Sequence, residues 1–453
     1  MRTTKSTVEP WFVAYALVGA VAAGLAPLLL PLWVSRGSTA AHVGLVMAAL
    51  SFGQLSAPLW GQLADKWRAH AQLFVGGLAL TGLALASVSL THDPYLLVAE
   101  SLVLGLGIAA TTTVANLFIV ERYPRESWSV QLGSLQTAYA LGQVGGFVVA
   151  GLLSGLGLGL AIGITALLPF IAMAFGRSLP RVPGSGSRPR FHLALHLNVE
   201  PLFGSLAHAY HLVHVGKAIR ALRRAPAALL RFQLLWFVIN TGSSFIFSFY
   251  PLLLARLYGV PTERIAWAYA AAAGVGLLLY GPAGAWVEKS GCALVLRAGI
   301  AFRVIMLAGL AGVALLPLAD RGLLALALFG GIVLAWSLIS VAGTTLAADS
   351  ALSEGEAMGL FSANGALAGV SGALLGGVLV RYFGYVSLPL AALALLIVGM
   401  AISRAVPEPS PPEGRSEGES VHLDPTKQGD PIAGTTVVSD VAMAALPNPK
   451  QGG

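Results

Sequence analysis

The sequence predicts an all-α polytopic membrane protein with 12 transmembrane helices, arranged as two pseudo-symmetric six-helix halves. Three observations lead there. Charged residues make up only 10% of the chain, apolar residues 56%, and the mean hydropathy is +0.77. Apolar stretches of about 20 residues, the length that crosses a hydrocarbon core, recur along it. Glycines and carboxylates then repeat at a nearly fixed spacing between the two halves.

Soluble domains carry roughly 25% charged residues because a water-facing surface must be polar. This chain of 453 residues has too few charges to cover itself in water, so lipid is the solvent for much of it. Most of its 54 glycines lie inside apolar runs, where small residues let membrane helices approach closely. The net charge of +7 is placed between apolar runs and in one central segment, a pattern of membrane topology rather than of nucleic-acid binding. Cys292 is the single cysteine, which excludes an intramolecular disulfide and a Cys-x-x-Cys metal site. The apolar run from Trp11 is too long for a signal-peptide core and reads as a retained first helix.

The first six spans are expected at Trp11–Val34, Ala40–Trp60, Gln72–Thr91, Tyr95–Val120, Leu132–Leu153 and Leu156–Phe175. A polar segment, Arg177–Pro226, follows. The second six are expected at Leu229–Leu254, Ile265–Ala285, Ala293–Leu316, Gly322–Leu346, Met358–Tyr382 and Tyr385–Ser403. From Val406 the chain is rich in Pro, Glu, Gly and Ser without apolar period, which predicts a disordered tail. The organisation is thus an N-terminus (1–10), a first half (11–176), a linker (177–226), a second half (227–404) and a tail (405–453).

With both termini placed in the cytoplasm, 19 of the 27 Lys and Arg residues fall in cytoplasmic segments, as the positive-inside rule asks. In the linker, Phe203–Arg224 has apolar residues at helical spacing and a basic end, which predicts an amphipathic helix on the membrane surface. His192, His196, His208, His211 and His214 lie in the same linker, but without a carboxylate or thiolate set around them they read as surface residues and no metal is expected.

The two halves share landmarks. Gly61 and Asp65 close the second span, and Gly284 and Glu288 close the eighth at an offset of 223. Gly133, Gly146 and Gly151 in the fifth span match Gly359, Gly372 and Gly377 in the eleventh at an offset of 226. Parallel six-helix repeats are a building plan of transporters, in which two similar halves move about a central site.

The segment from Gly61 to Arg68 carries Gly61, Leu63, Asp65 and Lys66 in the order of the signature between the second and third helices of the major facilitator superfamily, which the chain resembles over about residues 10–405. Arg68 stands where that signature has glycine, and Ala69 where a basic residue is usual. The resemblance implies that Asp65 helps to lock the cytoplasmic ends of the halves together, with Arg122 similar in place to its usual partner. In the fourth span Gly105 and Gly107 are present, but Ser101 stands where the family often has arginine. In the fifth, Gly142, Gly146 and Gly151 are present, but Phe147 replaces the proline of drug–proton antiporters.

Ionisable groups inside a bilayer are costly and are functional candidates by default. Glu100, in the outer part of the fourth span, is the candidate for proton coupling. Arg297 and Arg303, six residues apart, point to different sides of the ninth span. Arg297 is expected to snorkel, and Arg303 is a candidate contact for an anionic substrate or a buried acid. The resemblance implies a central path lined by the first, fourth, seventh and tenth helices with parts of others. Its polar and aromatic candidates in the first half are Tyr15, Gln54, Asn116, Gln136, Tyr139 and Gln143. In the second half they are Asn240, Ser243, Tyr250, Tyr269, Trp336 and Asn364, with Arg303.

No Gly-x-x-x-x-Gly-Lys-Ser/Thr, Gly-x-Ser-x-Gly or His-Glu-x-x-His motif occurs, so neither enzyme chemistry nor ATP drive is expected, nor a cofactor. The expectation is a monomeric secondary transporter in the plasma or inner membrane. It would move a small neutral or amphipathic solute by alternating access, with protons as coupling ion and export the favoured direction. The alternative is a transporter-like scaffold that binds lipid, pigment or a partner protein without turnover.

Overall fold

The computed structural model describes residues 9–67, 69–124, 127–179, 227–316, 320–348 and 354–406. The linker with its five histidines, the Phe203–Arg224 segment and the tail lie outside these residues.

Among the described residues, the first half comprises α1 (Pro10–Gly37), α2 (Ala40–Gln54 continued by Ala57–Trp67), α3 (His70–Leu90), α4 (Pro94–Arg122), α5 (Trp128–Leu153) and α6 (Leu158–Gly176). The second comprises α7 (Ala227–Phe247), α8 (Thr262–Ser290), α9 (Cys292–Leu315), α10 (Arg321–Ala348), α11 (Glu354–Phe383) and α12 (Ser387–Ser403). Eleven are long and apolar enough to cross a membrane, and α12, with 17 residues, is the shorter apolar twelfth. The all-α, twelve-helix expectation holds.

The helix ends differ from the expected spans because polar residues can extend a helix beyond the bilayer. The second runs to Trp67 rather than Trp60, the eighth to Ser290 rather than Ala285, and the eleventh starts at Glu354 rather than Met358. Three spans are also irregular where a proline removes a backbone donor. Pro27 lies just after the π-helical segment Ala20–Leu25 of α1, and Pro58 follows the break in α2. Pro251 follows the interruption of α7 at Ser248–Phe249, after which the chain runs on as a short π-helix, Leu253–Leu257. Asp93 starts α4 by accepting hydrogen bonds from the backbone N–H of Tyr95 and Leu96 at 3.0 and 2.9 Å.

Two of the three offset-226 glycine pairs have matched packing roles, while Gly133 of the third meets nothing within 4 Å. An added Cβ at Gly146 of α5 would run into the Ala20 carbonyl of α1, and one at Gly372 of α11 would run into Ser244 of α7. Gly151 faces Trp267 of α8 at 3.1 Å, while Gly377 faces Gly44 of α2 at 3.1 Å. One pair thus lets α5 and α11 cross a helix of their own half, and the other lets them touch the opposite half. Both connections also use a left-handed glycine: Gly157 ends the α5–α6 turn at φ 91°, and Gly384 begins the α11–α12 turn at φ 74°, a region that favours glycine.

The N-terminal end of α1 and the junction toward α7 lie on one side, here the terminal side; the α1–α2 and α7–α8 turns lie on the distal side. The halves meet along α2 with α11 and α5 with α8. The buried core reflects this. A large apolar cluster on the distal side joins both halves, from Leu29, Val46 and Phe147 to Leu253, Phe329 and Ala373. On the terminal side there are two clusters, one within each half, around Trp11, Phe74 and Phe118 and around Trp236, Leu296 and Ile339.

Candidate functional site: a cavity between the halves

A cavity of about 290 Å³ lies between α5 and the α7, α8 and α10 helices. Its first-half wall is Ala140 and Gln143. The second half supplies Asn240, Ser243, Ser244 and Phe247 from α7, Tyr269 through Tyr280 from one face of α8, and Val333, Trp336 and Ser337 from α10. Its wall is therefore mixed, with aromatic faces beside amides and hydroxyls, the composition of small-molecule sites.

Aromatic rings close the cavity toward the distal side. Phe147, fully buried, stacks on Tyr269 across the boundary between the halves at 4.1 Å between ring centroids. Behind this stack, Tyr250 packs on Phe329 at 5.3 Å and against Tyr269 at 5.0 Å. The position where the sequence departs from the antiporter proline is thus occupied by a ring that spans the two halves.

Arg303 lies directly behind the wall. It is 1% exposed; Nη1 donates to Ser243 Oγ at 2.7 Å, and Nη2 donates to the Ile332 carbonyl at 3.0 Å. Its guanidinium sits 5.4 Å from the Trp336 ring centroid and 5.8 Å from that of Phe247. Ser243 in turn donates to the Ile239 carbonyl at 2.7 Å, so its hydroxyl bridges α7 to the arginine.

Of the residues singled out from sequence, Gln143, Asn240, Ser243, Tyr269 and Trp336 come together on the wall. The others do not line this cavity. Tyr15 is buried and packs on Tyr139 at 5.5 Å; Asn116 accepts from Gln136 Nε2 at 3.4 Å. Gln54 is exposed, and Asn364 donates to the carbonyl and the side chain of Gln233 at 2.8 and 2.7 Å. Arg297 is half-buried: Nε and Nη2 donate to the Ser403 and Val406 carbonyls, both at 3.2 Å, at the end of α12, whose last carbonyls need donors. Tyr280, Ser244 and Ser337 were missed. Tyr280 was legible, because a residue eleven positions after Tyr269 returns to the same helix face.

Glu100 is 6% exposed at the α3–α4 interface, away from the cavity wall. Its Oε1 accepts from Ser87 Oγ and from Thr91 Oγ1, the latter at 2.7 Å. Its Oε2 is buried without a partner. At the terminal side, Arg122 meets Glu9 at 3.5 Å and lies over the Phe118 ring. Lys66 and Glu288 are exposed, and the side chain of Asp65 lies outside the described residues. Tight packing at Gly61 and Gly284 is not found: an added Cβ would meet Thr113 at 3.8 Å in the first case and nothing within 4 Å in the second. Both lie near the terminal side, where the halves have no common core.

The family model of the Major Facilitator Superfamily matches residues 11–369. The chain belongs to the major facilitator superfamily, a family of membrane transporters and not of enzymes. Among solved structures, it is similar to the nucleoside transporter NupG, with 15% identity, coverage of 88% of this chain and 96% of that one, and a TM-score of 0.63. A bacterial homologue of the human lysosomal transporter Spinster, in an inward-facing and occupied conformation, shares 15% identity over 88% of this chain and 95% of that one, with a TM-score of 0.65. A search of curated proteins found no sequence match.

Proposed function

We propose that this protein moves a small amphipathic solute across the membrane by alternating access, binding it in the cavity between α5 and α7, α8 and α10. The observation that carries the reading is the position of that cavity. It has walls from both halves, a ring stack across the distal boundary, and separate apolar cores on the terminal side. Rocking the halves would break the Phe147–Tyr269 stack and bring the terminal ends together. Asp65, with Arg122, then secures the closed terminal side, and Gly284 and Glu288 are the matching positions of the second half. The Lys and Arg distribution favours cytoplasmic termini, which makes the described state inward-facing, in a monomer of the plasma or inner membrane.

Proton coupling is proposed through Glu100, a buried carboxyl that touches two hydroxyls and has one unpartnered oxygen. Export is the favoured direction. The test is transport in proteoliposomes under an imposed pH gradient. Trp336→Ala should lower solute movement roughly 5- to 150-fold, since a lost aromatic face removes binding worth about 1–3 kcal/mol. Unchanged transport would remove the cavity from the mechanism. Glu100→Gln should abolish the dependence on the gradient yet leave solute exchange intact, and gradient-driven accumulation in that variant would exclude Glu100 as coupling group.

A further inference from the structure

We propose that the solute is a monoanion, an apolar or aromatic body with one carboxylate-like group, and that Arg303 selects it by charge. The inference rests on the cavity reading above.

Among the described residues, Arg303 is a buried cation without a counter-charge. The ion pairs formed among the described residues are His70 with Glu121 and Arg122 with Glu9, both in the first half. No aspartate or glutamate belongs to the cavity wall, and none is buried in the second half among the described residues. The guanidinium satisfies itself with neutral groups only, a hydroxyl, a carbonyl and two ring faces, and its Nε is buried without any partner. Burying a charge is expensive unless something compensates it, and here the compensation is incomplete. The missing negative charge has one open place to sit, because Ser243, bonded to Arg303, and Trp336, beneath it, both face the cavity.

The hydrogen-bonding inventory of the wall agrees. The hydroxyls of Ser244, Tyr269 and Tyr280 and the indole N–H of Trp336 line the cavity and make no hydrogen bond to the protein. A carboxylate accepts only and can use all four as donors; the hydroxyls, like the amide oxygens of Gln143 and Asn240, also accept, so the indole N–H is the group among them that an ammonium cannot use. The aromatic faces of Phe247, Tyr269 and Trp336 accommodate the apolar body. Two unit charges about 8 Å apart, at an effective dielectric of about 20, change affinity roughly 30-fold. Arg303 is thus a positioning residue that acts through the field and through Ser243.

Three probes of one shape and different charge test this on the purified full-length protein: 3-phenylpropionate, 3-phenylpropanol and 3-phenylpropylamine, at constant chloride. Thermal stabilisation measured against concentration gives an affinity for each, since a ligand of the folded state raises the melting temperature. The acid should bind at least about tenfold more tightly than the alcohol, and the amine most weakly. Arg303→Met should bring the acid and the alcohol to similar affinity, while Arg303→Lys, which keeps the charge, should retain the preference for the acid. Equal affinities in the unaltered protein, or an acid preference that survives in Arg303→Met, would overturn the inference. If Arg303→Met does not fold, the ranking in the unaltered protein decides alone. Absence of binding by all three probes would count against the amphipathic-solute reading itself; where they bind, Trp336→Ala should weaken all three together, and an acid preference that persists in it assigns the charge selection to Arg303 and not to the ring.

Discussion

The distal and terminal sides of this molecule are built from the same helices but are cored differently. Distally, one apolar cluster runs through both halves; terminally, each half keeps its own. The difference lies in how close the backbones come. Gly44 and Gly377 let α2 and α11 touch, and Gly151 lets α5 approach Trp267 of α8. Gly61 and Gly284, near the other ends, have room around them. A transporter that alternates needs one side sealed by contacts that can be broken and another side not committed to contact, and small residues at a helix crossing provide a seal without locking side chains together.

The contrast can be broken most strongly at the ring stack. Phe147→Ala removes a fully buried ring from the distal seal and should cost about 3–5 kcal/mol of stability, readable as a large fall in melting temperature. Thiol labelling from the distal side, at a cysteine introduced for Ser244 in the cavity wall, should rise in the same variant. Unchanged labelling would show that the stack does not seal the cavity.

A smaller pair of changes sharpens the comparison. Gly44→Ala places a methyl 2.6 Å from the Ala373 carbonyl and should destabilise the protein by about 1–3 kcal/mol. Gly284→Ala meets nothing within 4 Å and should stabilise its helix by up to about 1 kcal/mol. Equal effects on melting temperature would mean that the two sides are equally packed.

A change that acts on transport alone concerns the terminal lock. Asp65→Asn should leave the stability of the terminally open state unaltered, yet slow transport roughly tenfold, about 1.4 kcal/mol, by weakening the closed terminal state. Transport at the original rate would remove Asp65 from the gate.

Much of this was legible beforehand for local reasons. Hydropathy marked the helices because each must satisfy its own backbone in lipid. The glycine spacing marked the repeat, and Gly146 with Gly372 and Gly151 with Gly377 turned out to pack alike. The cavity was legible only in part. Tyr269 and Trp336 were found because polar and aromatic groups stand out in apolar spans, but Asn364 and Gln54 stand out equally and lie elsewhere. Nothing in the sequence around Phe147 marks it as more than a departure from a proline.

By itself, then, the sequence determined the solvent, the number of helices and the two-fold plan, since these depend on composition and on period along one chain. Tertiary structure decided which polar residues share the cavity, that the wall is drawn mostly from the second half, and that Arg303 stands behind it without a carboxylate among the described residues. Those depend on helix rotation and on which helices cross, and a helix shows its neighbours only once it is packed.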